Sequence, residues 1–289
     1  MIIIPEELFD FAYCFDYPNE LKGLAQMAIP EPWKFLNPQM EGSNTETPIL
    51  ERYIRNVFRH QAIMYNQCMN QQEREKFLFL RGGLACLHTG LITPYLEGIY
   101  ALFESNRKNN VRCEWVFKGF HSASSPKLRC IPRLPCAPRF YLETDAFHPE
   151  WDIRINFAHI LEDPRNNARL PEEIRSARNK PLLLHAAVLY GRALAGMNPM
   201  TVAPQVYCGR VQFLLPICLT DMKHCDLALT LTPQDGYYLG HTCLTLEMSY
   251  HNARMLARPH APWLAGLVEK RAMDSSFPYE SVYGLSIRG

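Results

Sequence analysis

Neither sign of charge predominates: Lys and Arg number 30 against 29 Asp and Glu in 289 residues. No global field therefore steers the chain toward a polyanion, and any nucleic-acid contact has to rest on a local patch. The ten cysteines include no Cys-x-x-Cys pair, which removes the commonest spacing of a structural zinc site. Cys86 and Cys218 lie within apolar runs, where a thiol behaves as a small hydrophobe. No stretch approaches the roughly eighteen uninterrupted apolar residues of a membrane span. The first residues lack both a basic start and a long apolar core. A membrane partner and a secretory leader are accordingly not expected, and a reducing cytosol, hence a cytoplasmic protein, fits the free thiols. His-Glu-x-x-His, Gly-x-Ser-x-Gly and the Walker phosphate loop are missing too. The usual hydrolase signatures are silent, and no metal or cofactor is implied.

What is present is the material of a core. Hydrophobic residues make up 47% and charged residues 20%, and a chain of this length buries roughly three quarters of the surface its unfolded form exposes. A short helix is expected over 19–28, then a linker over 36–48 that ends in Thr47 and Pro48, a cap and a first helical position. The helix that follows runs over 49–74. Ile49, Tyr53, Ile54, Val57, Phe58 and Met64 recur at three- and four-residue spacing, while Arg52, Arg55, Asn56 and Arg59 face away. Runs of strand length follow at 77–80, 84–87, 98–104 and 113–121, with a turn at 106–110. Residues 122–150 have five prolines and no period, which makes them a long irregular excursion. A strand is expected at 152–161, helices at 171–178 and 181–197, strands at 206–219, 227–232 and 237–246, and a short helix at 247–257. This order predicts a single α+β domain over 1–274 with a mixed or mainly antiparallel sheet and packing helices, followed by a loose tail over 275–289.

Five groups of residues could carry chemistry. In 81–91, glycines precede a strand and His88, Thr89 and Gly90 follow it, so backbone amides and two side chains could face a ligand at one chain reversal. Arg81, Arg154 and Arg210 interrupt strand-like runs as solvated residues or anion clamps. His159 stands three residues after Asn156 on the expected strand, where a structural histidine competes with a base. Asn252 and Arg254 lie on the last helix with Tyr250, suited to a phosphate or a base edge and equally to anchoring the sheet. A basic stretch joins Lys118, His121, Lys127, Arg129, Arg133 and Arg139 with Phe117, Phe120, Phe140 and Tyr141, and only Glu143 is a nearby acid. Cations and stackable rings suit single-stranded RNA, and a solvated loop is the competing reading.

A family resemblance spreads over nearly the whole chain. It is carried by Phe11-Ala-Tyr13, Pro30-Glu-Pro-Trp33, residues 50–58, Thr89-Gly-Leu91, residues 99–104, His159-Ile-Leu161, Leu214-Leu-Pro216, Asp226-Leu-Ala-Leu229, residues 244–254, Arg258-Pro259 and Trp263-Leu264. Together these resemble a bacterial and fungal family known as a domain of unknown function. The resemblance implies one domain, sometimes fused to cold-shock or other RNA-binding modules, and Asn where this chain has His88. Three functions are then open. The first is binding of RNA or a nucleotide by Arg81, His88, Thr89, Gly90, Asn252 and Arg254, with Lys118, Lys127, Arg129 and Arg133 as the nucleic-acid surface. The second is a phosphoester-processing enzyme with His88 or His159 as acid or base. The third is an oligomeric scaffold.

Overall fold

Residues 3–38, 46–107, 112–138, 147–207 and 210–268 are described by a computed structural model of the chain. Arg139, Phe140, Tyr141, Glu143 and the tail 275–289 lie outside these residues. The first half builds α1 (Leu8–Phe11), β1 (Ala12–Tyr13), α2 (Tyr17–Met27), α3 (Pro48–Gln67), α4 (Gln71–Arg74), β2 (Phe79–Arg81), β3 (Leu84–Ile92), β4 (Gly98–Ser105) and β5 (Trp115–Ser122). The second builds β6 (Asp152–Ile155), α5 (Phe157–Leu161), α6 (Pro164–Asn167), α7 (Glu172–Ser176), α8 (Lys180–Met197), β7 (Ala203–Tyr207), β8 (Arg210–Ile217), β9 (Leu227–Pro233), β10 (Tyr237–Leu244), α9 (Leu246–Arg254) and α10 (Pro262–Ala265).

The α+β class forms as expected, with the strands divided over two five-stranded sheets. In the first, ordered β1-β5-β4-β3-β2, only β1 runs parallel to its neighbour. Alternation sends Ala85, Leu87, Ala101 and Phe103 to one face, where they meet the apolar stripe of α3, and Cys86, Tyr100 and Leu102 to the other. That outer face is covered by Leu128 and Ile131, so the Pro-rich excursion is partly a packed layer. The second sheet, ordered β6-β10-β9-β8-β7, has only β6 parallel. Phe213, Leu215, Leu229 and Leu231 face α8. A Cβ on Gly191 would lie 2.6 Å from the Pro216 carbonyl oxygen, so a glycine is needed for α8 to rest on β8. On the opposite face Ala203, Leu214, Ala228 and Leu244 join the core beneath α3, together with Tyr250 and Ala253 of α9. One core thus links both sheets.

Several boundaries differ from the sequence expectation for local reasons. The helix expected over 49–74 stops at Gln67, and Asn70 starts α4 by accepting from the Gln72 amide. The strand expected over 152–161 ends at Ile155, because the Asn156 side chain accepts from the His159 amide and caps α5. The run 206–219 is two antiparallel strands, β7 and β8, paired from Ala203 with Leu214 to Tyr207 with Arg210. β3 continues past Leu87 through a register shift between His88 and Ile92. His88, Thr89 and Gly90 are therefore inside a strand and not after it. Thr245 caps α9 by accepting from the Met248 amide, which places Asn252 and Arg254 in its last turns.

Candidate functional site

The outward face of α3 does not end in bulk solvent. Arg52, Arg55, Asn56, Arg59 and His60 line a cleft of about 810 Å³, which α5 and α6 border with His159, Arg165 and Asn166, followed by Arg169. The exposed end of the second sheet's core face supplies Gln205, Tyr207, Gln212, Thr230, His241 and Thr242, and α9 supplies Met248 and Asn252. Its volume lies within the roughly 300–1,000 Å³ of typical ligand sites.

Five arginines line this cleft against two carboxylates, Glu7 and Asp163. Both carboxylates are engaged. Glu7 pairs with Arg59. Asp163 accepts from the amides of Arg165 and Asn166 as the cap of α6, and these backbone bonds hold its carboxyl below the usual range. Among the described residues, no ion pair joins Arg52 or Arg165 to a carboxylate. The site is locally cationic although the chain as a whole carries a formal net charge of only +1.

Two hydrogen-bond systems hold the polar side chains. Asn252 Nδ2 donates to Gln205 Oε1 at 2.9 Å, Gln205 Nε2 to Gln212 Oε1 at 2.9 Å, and Gln212 Nε2 to Thr232 Oγ1 at 2.8 Å. Antiparallel pairing of β7 with β8 puts Gln205 opposite Gln212, and this register builds the relay. Beside it the buried Asn166 accepts at Oδ1 from Arg169 Nη1 and Thr242 Oγ1, and donates from Nδ2 to the His159 carbonyl and ring Nε2. A carbonyl can only accept, so the orientation of Asn166 is determined and His159 Nε2 is the acceptor of its other N–H. The lone pair that a general base needs is already occupied.

The residues singled out in the sequence do not come together in one place. Asn252 and His159 line the cleft. His88 packs edge-on against Tyr100 on the outer face of the first sheet, its ring centroid 4.6 Å away, and accepts at Nδ1 from the Gly90 amide. Burial pushes its imidazole down to about 4, so it is neutral. Thr89 is buried and donates to the Ile99 carbonyl. Gly90 has φ +80°, and a Cβ there would fall 2.4 Å from the Tyr53 hydroxyl. Arg254 pairs with Glu31, Nε to Oε1 at 2.8 Å, and lies over the rings of Tyr53 and Trp33. Arg81 is exposed at the end of β2, beside Gly82 and Gly83. The first sheet thus stands between His88 and Arg254.

Lys118 pairs with Glu104 at 3.3 Å, and Lys127, Arg129 and Arg133 are exposed on the segment that covers the outer face of the first sheet, away from α3. Arg154 stacks over Tyr237, and Arg210 is exposed. Among the described residues, no group of three or more His, Cys, Asp or Glu side chains is placed to hold a metal ion.

Sequence reasoning passed over the α3 arginines by reading them as a solvated face. The signal was their distribution: Arg52, Arg55 and Arg59 share the outward face with Asn56 and His60, and Glu51 is the helix's one acid. Gln205 and Gln212 gave a second hint, as polar positions on otherwise apolar strands.

A family model described as a domain of unknown function (DUF3825) matches residues 24–263, a span that holds every lining residue of the cleft except Glu7. No curated protein and no solved structure matches the chain. Among the described residues, no helix is long and apolar enough to cross a membrane.

Proposed function

The chain belongs to the DUF3825 family, and from the chemistry of its cleft we propose that it binds RNA or a nucleotide there. The observation that carries this reading is the excess of arginine over carboxylate, with both carboxylates already engaged. A guanidinium offers planar, paired donors that match phosphate oxygens and is weakly hydrated, so it gives up water readily to an anion. Amides and hydroxyls beside it suit sugar and base groups. The nine described cysteines are unpaired, which fits the cytosol as the place where such ligands are met.

A phosphoester-processing enzyme would use the same arginines, but its base would need a free lone pair, and the His159 Nε2 lone pair is taken by Asn166. Of the two bases the sequence offered, His159 is engaged and His88 lies outside the cleft, which favours binding.

The test is fluorescence anisotropy at fixed ionic strength with labelled single-stranded RNA and labelled nucleotides. The triple variant R52A/R55A/R165A, checked for an intact fold by melting, is expected to bind at least tenfold more weakly. Its log Kd against log salt should flatten by roughly 0.7 for each phosphate that the protein no longer neutralises. Equal affinity and equal salt slope in wild type and variant would remove the cleft from consideration.

A further inference from the structure

Resting on that reading, we propose that the cleft recognises an unpaired nucleobase of a single strand, with Asn252 reading its edge and Tyr207 stacking on its face. Phosphate presents acceptors only, so a site shaped for anions alone would be lined by donors. This cleft is not. The amide relay uses one N–H of Asn252 and, among the described residues, leaves its Oδ1 and its second N–H without a protein partner. A donor beside an acceptor in one plane is the complement of a base edge, as when Asn binds adenine through N6 and N7. An acceptor at this position would repel a bare phosphate.

The amide is also held in place. Asn252 is anchored to Gln205, which is 1% exposed, and stands on a helix fixed by its Thr245 cap and by buried Leu246 and Ala253. A reading group needs such preorganisation.

Tyr207 follows Gln205 by two residues on β7, so both project from the same face of the strand. Gln205 is covered while Tyr207 is 59% exposed and lines the cleft. An exposed ring beside an edge-reading amide and a row of arginines is the arrangement that binds splayed bases. Arg52 of α3 and Arg165 of α6 line the cleft from different elements, and neither is paired with a carboxylate among the described residues. Two such guanidinia on separate elements suit a strand with more than one phosphate better than a single phosphate group. A duplex is disfavoured because its edges and faces are already paired and stacked.

The experiment displaces a fluorescent single-stranded RNA from the full chain with four competitors: the same RNA unlabelled, its abasic ribose-phosphate analogue, inorganic polyphosphate of equal charge, and the duplex. The unlabelled strand is expected to compete at least tenfold better than the other three. Y207A should lose roughly tenfold for the strand, the scale of one base stack, and leave polyphosphate unchanged. N252A should bring the affinities for the four homopolymers within about twofold of each other. Abasic strand or polyphosphate competing as well as RNA overturns base recognition and leaves an anion-binding cleft standing. If the labelled RNA does not bind wild type at all, the functional reading falls and this inference with it. Because Tyr207 is exposed, Y207A is expected to fold even if N252A, which strands buried Gln205, does not.

Discussion

The side chain of Asn166 donates to the ring Nε2 of His159 at 3.1 Å and to the backbone carbonyl of the same residue at 3.0 Å. One amide thereby fixes both the position and the tautomer of the imidazole, leaving its proton on Nδ1. Long-range proton–nitrogen correlation spectra should show the Nδ1–H tautomer in the neutral ring. N166A should release the ring to a mixture of tautomers. An Nε2–H tautomer in the wild type would reopen His159 as a base.

The two basic surfaces make opposite predictions. Lys127, Arg129 and Arg133 sit on the layer that covers the outer face of the first sheet, whereas Arg52 and Arg55 line the cleft beyond α3. K127A/R129A/R133A is expected to keep RNA affinity within about twofold, and R52A/R55A to weaken it by tenfold or more. The reverse result would move the site to the Pro-rich segment, where cations alternate with aromatics in the sequence.

Periodicity made the frame legible, and long-range pairing hid the site. The apolar stripe at Ile49, Tyr53, Val57 and Phe58 identified α3, and short apolar runs of strand length identified most strands, because each pattern is set by local geometry. The division into two sheets depends on which strands pair, and no local period encodes that. Asn166 and Gln205 acquire meaning only through His159, Arg169 and Asn252, partners up to 47 residues away. The sequence left Arg254 open between a ligand and an anchor for the same reason: its partner Glu31 lies 223 positions upstream.

Arg254 and Glu31 are 11% and 14% exposed. Removing one partner leaves the other charge buried, a loss on the order of 3–5 kcal/mol. R254A and E31A should each lower the melting temperature sharply. The double replacement E31L/R254M substitutes apolar volume for the pair and should recover most of that loss. The ligand-induced rise in melting temperature should persist in the double variant, because neither residue lines the cleft. Loss of that response in a well-folded E31L/R254M protein would return Arg254 to the ligand.

Acid stability depends on His88. Its imidazole is 7% exposed, and burial lowers its pKa from 6.5 to about 4. Between these values the unfolded chain takes up a proton that the folded chain does not, so stability falls as pH falls through this window. By pH 5 this one residue costs about 2 kcal/mol. His251 acts in the same direction, lowered to about 4 first by burial and then by Arg52. Replacing His88 with Asn removes one titration and keeps the local bond, because an Asn Oδ1 can accept from the Gly90 amide much as the ring Nδ1 does. Urea unfolding of wild type between pH 7 and pH 5 should show a steep loss of stability, and H88N a loss smaller by about 2 kcal/mol. Equal slopes for the two proteins would mean that His88 is protonated within the fold, and that its contact with Tyr100 is one an imidazolium can keep.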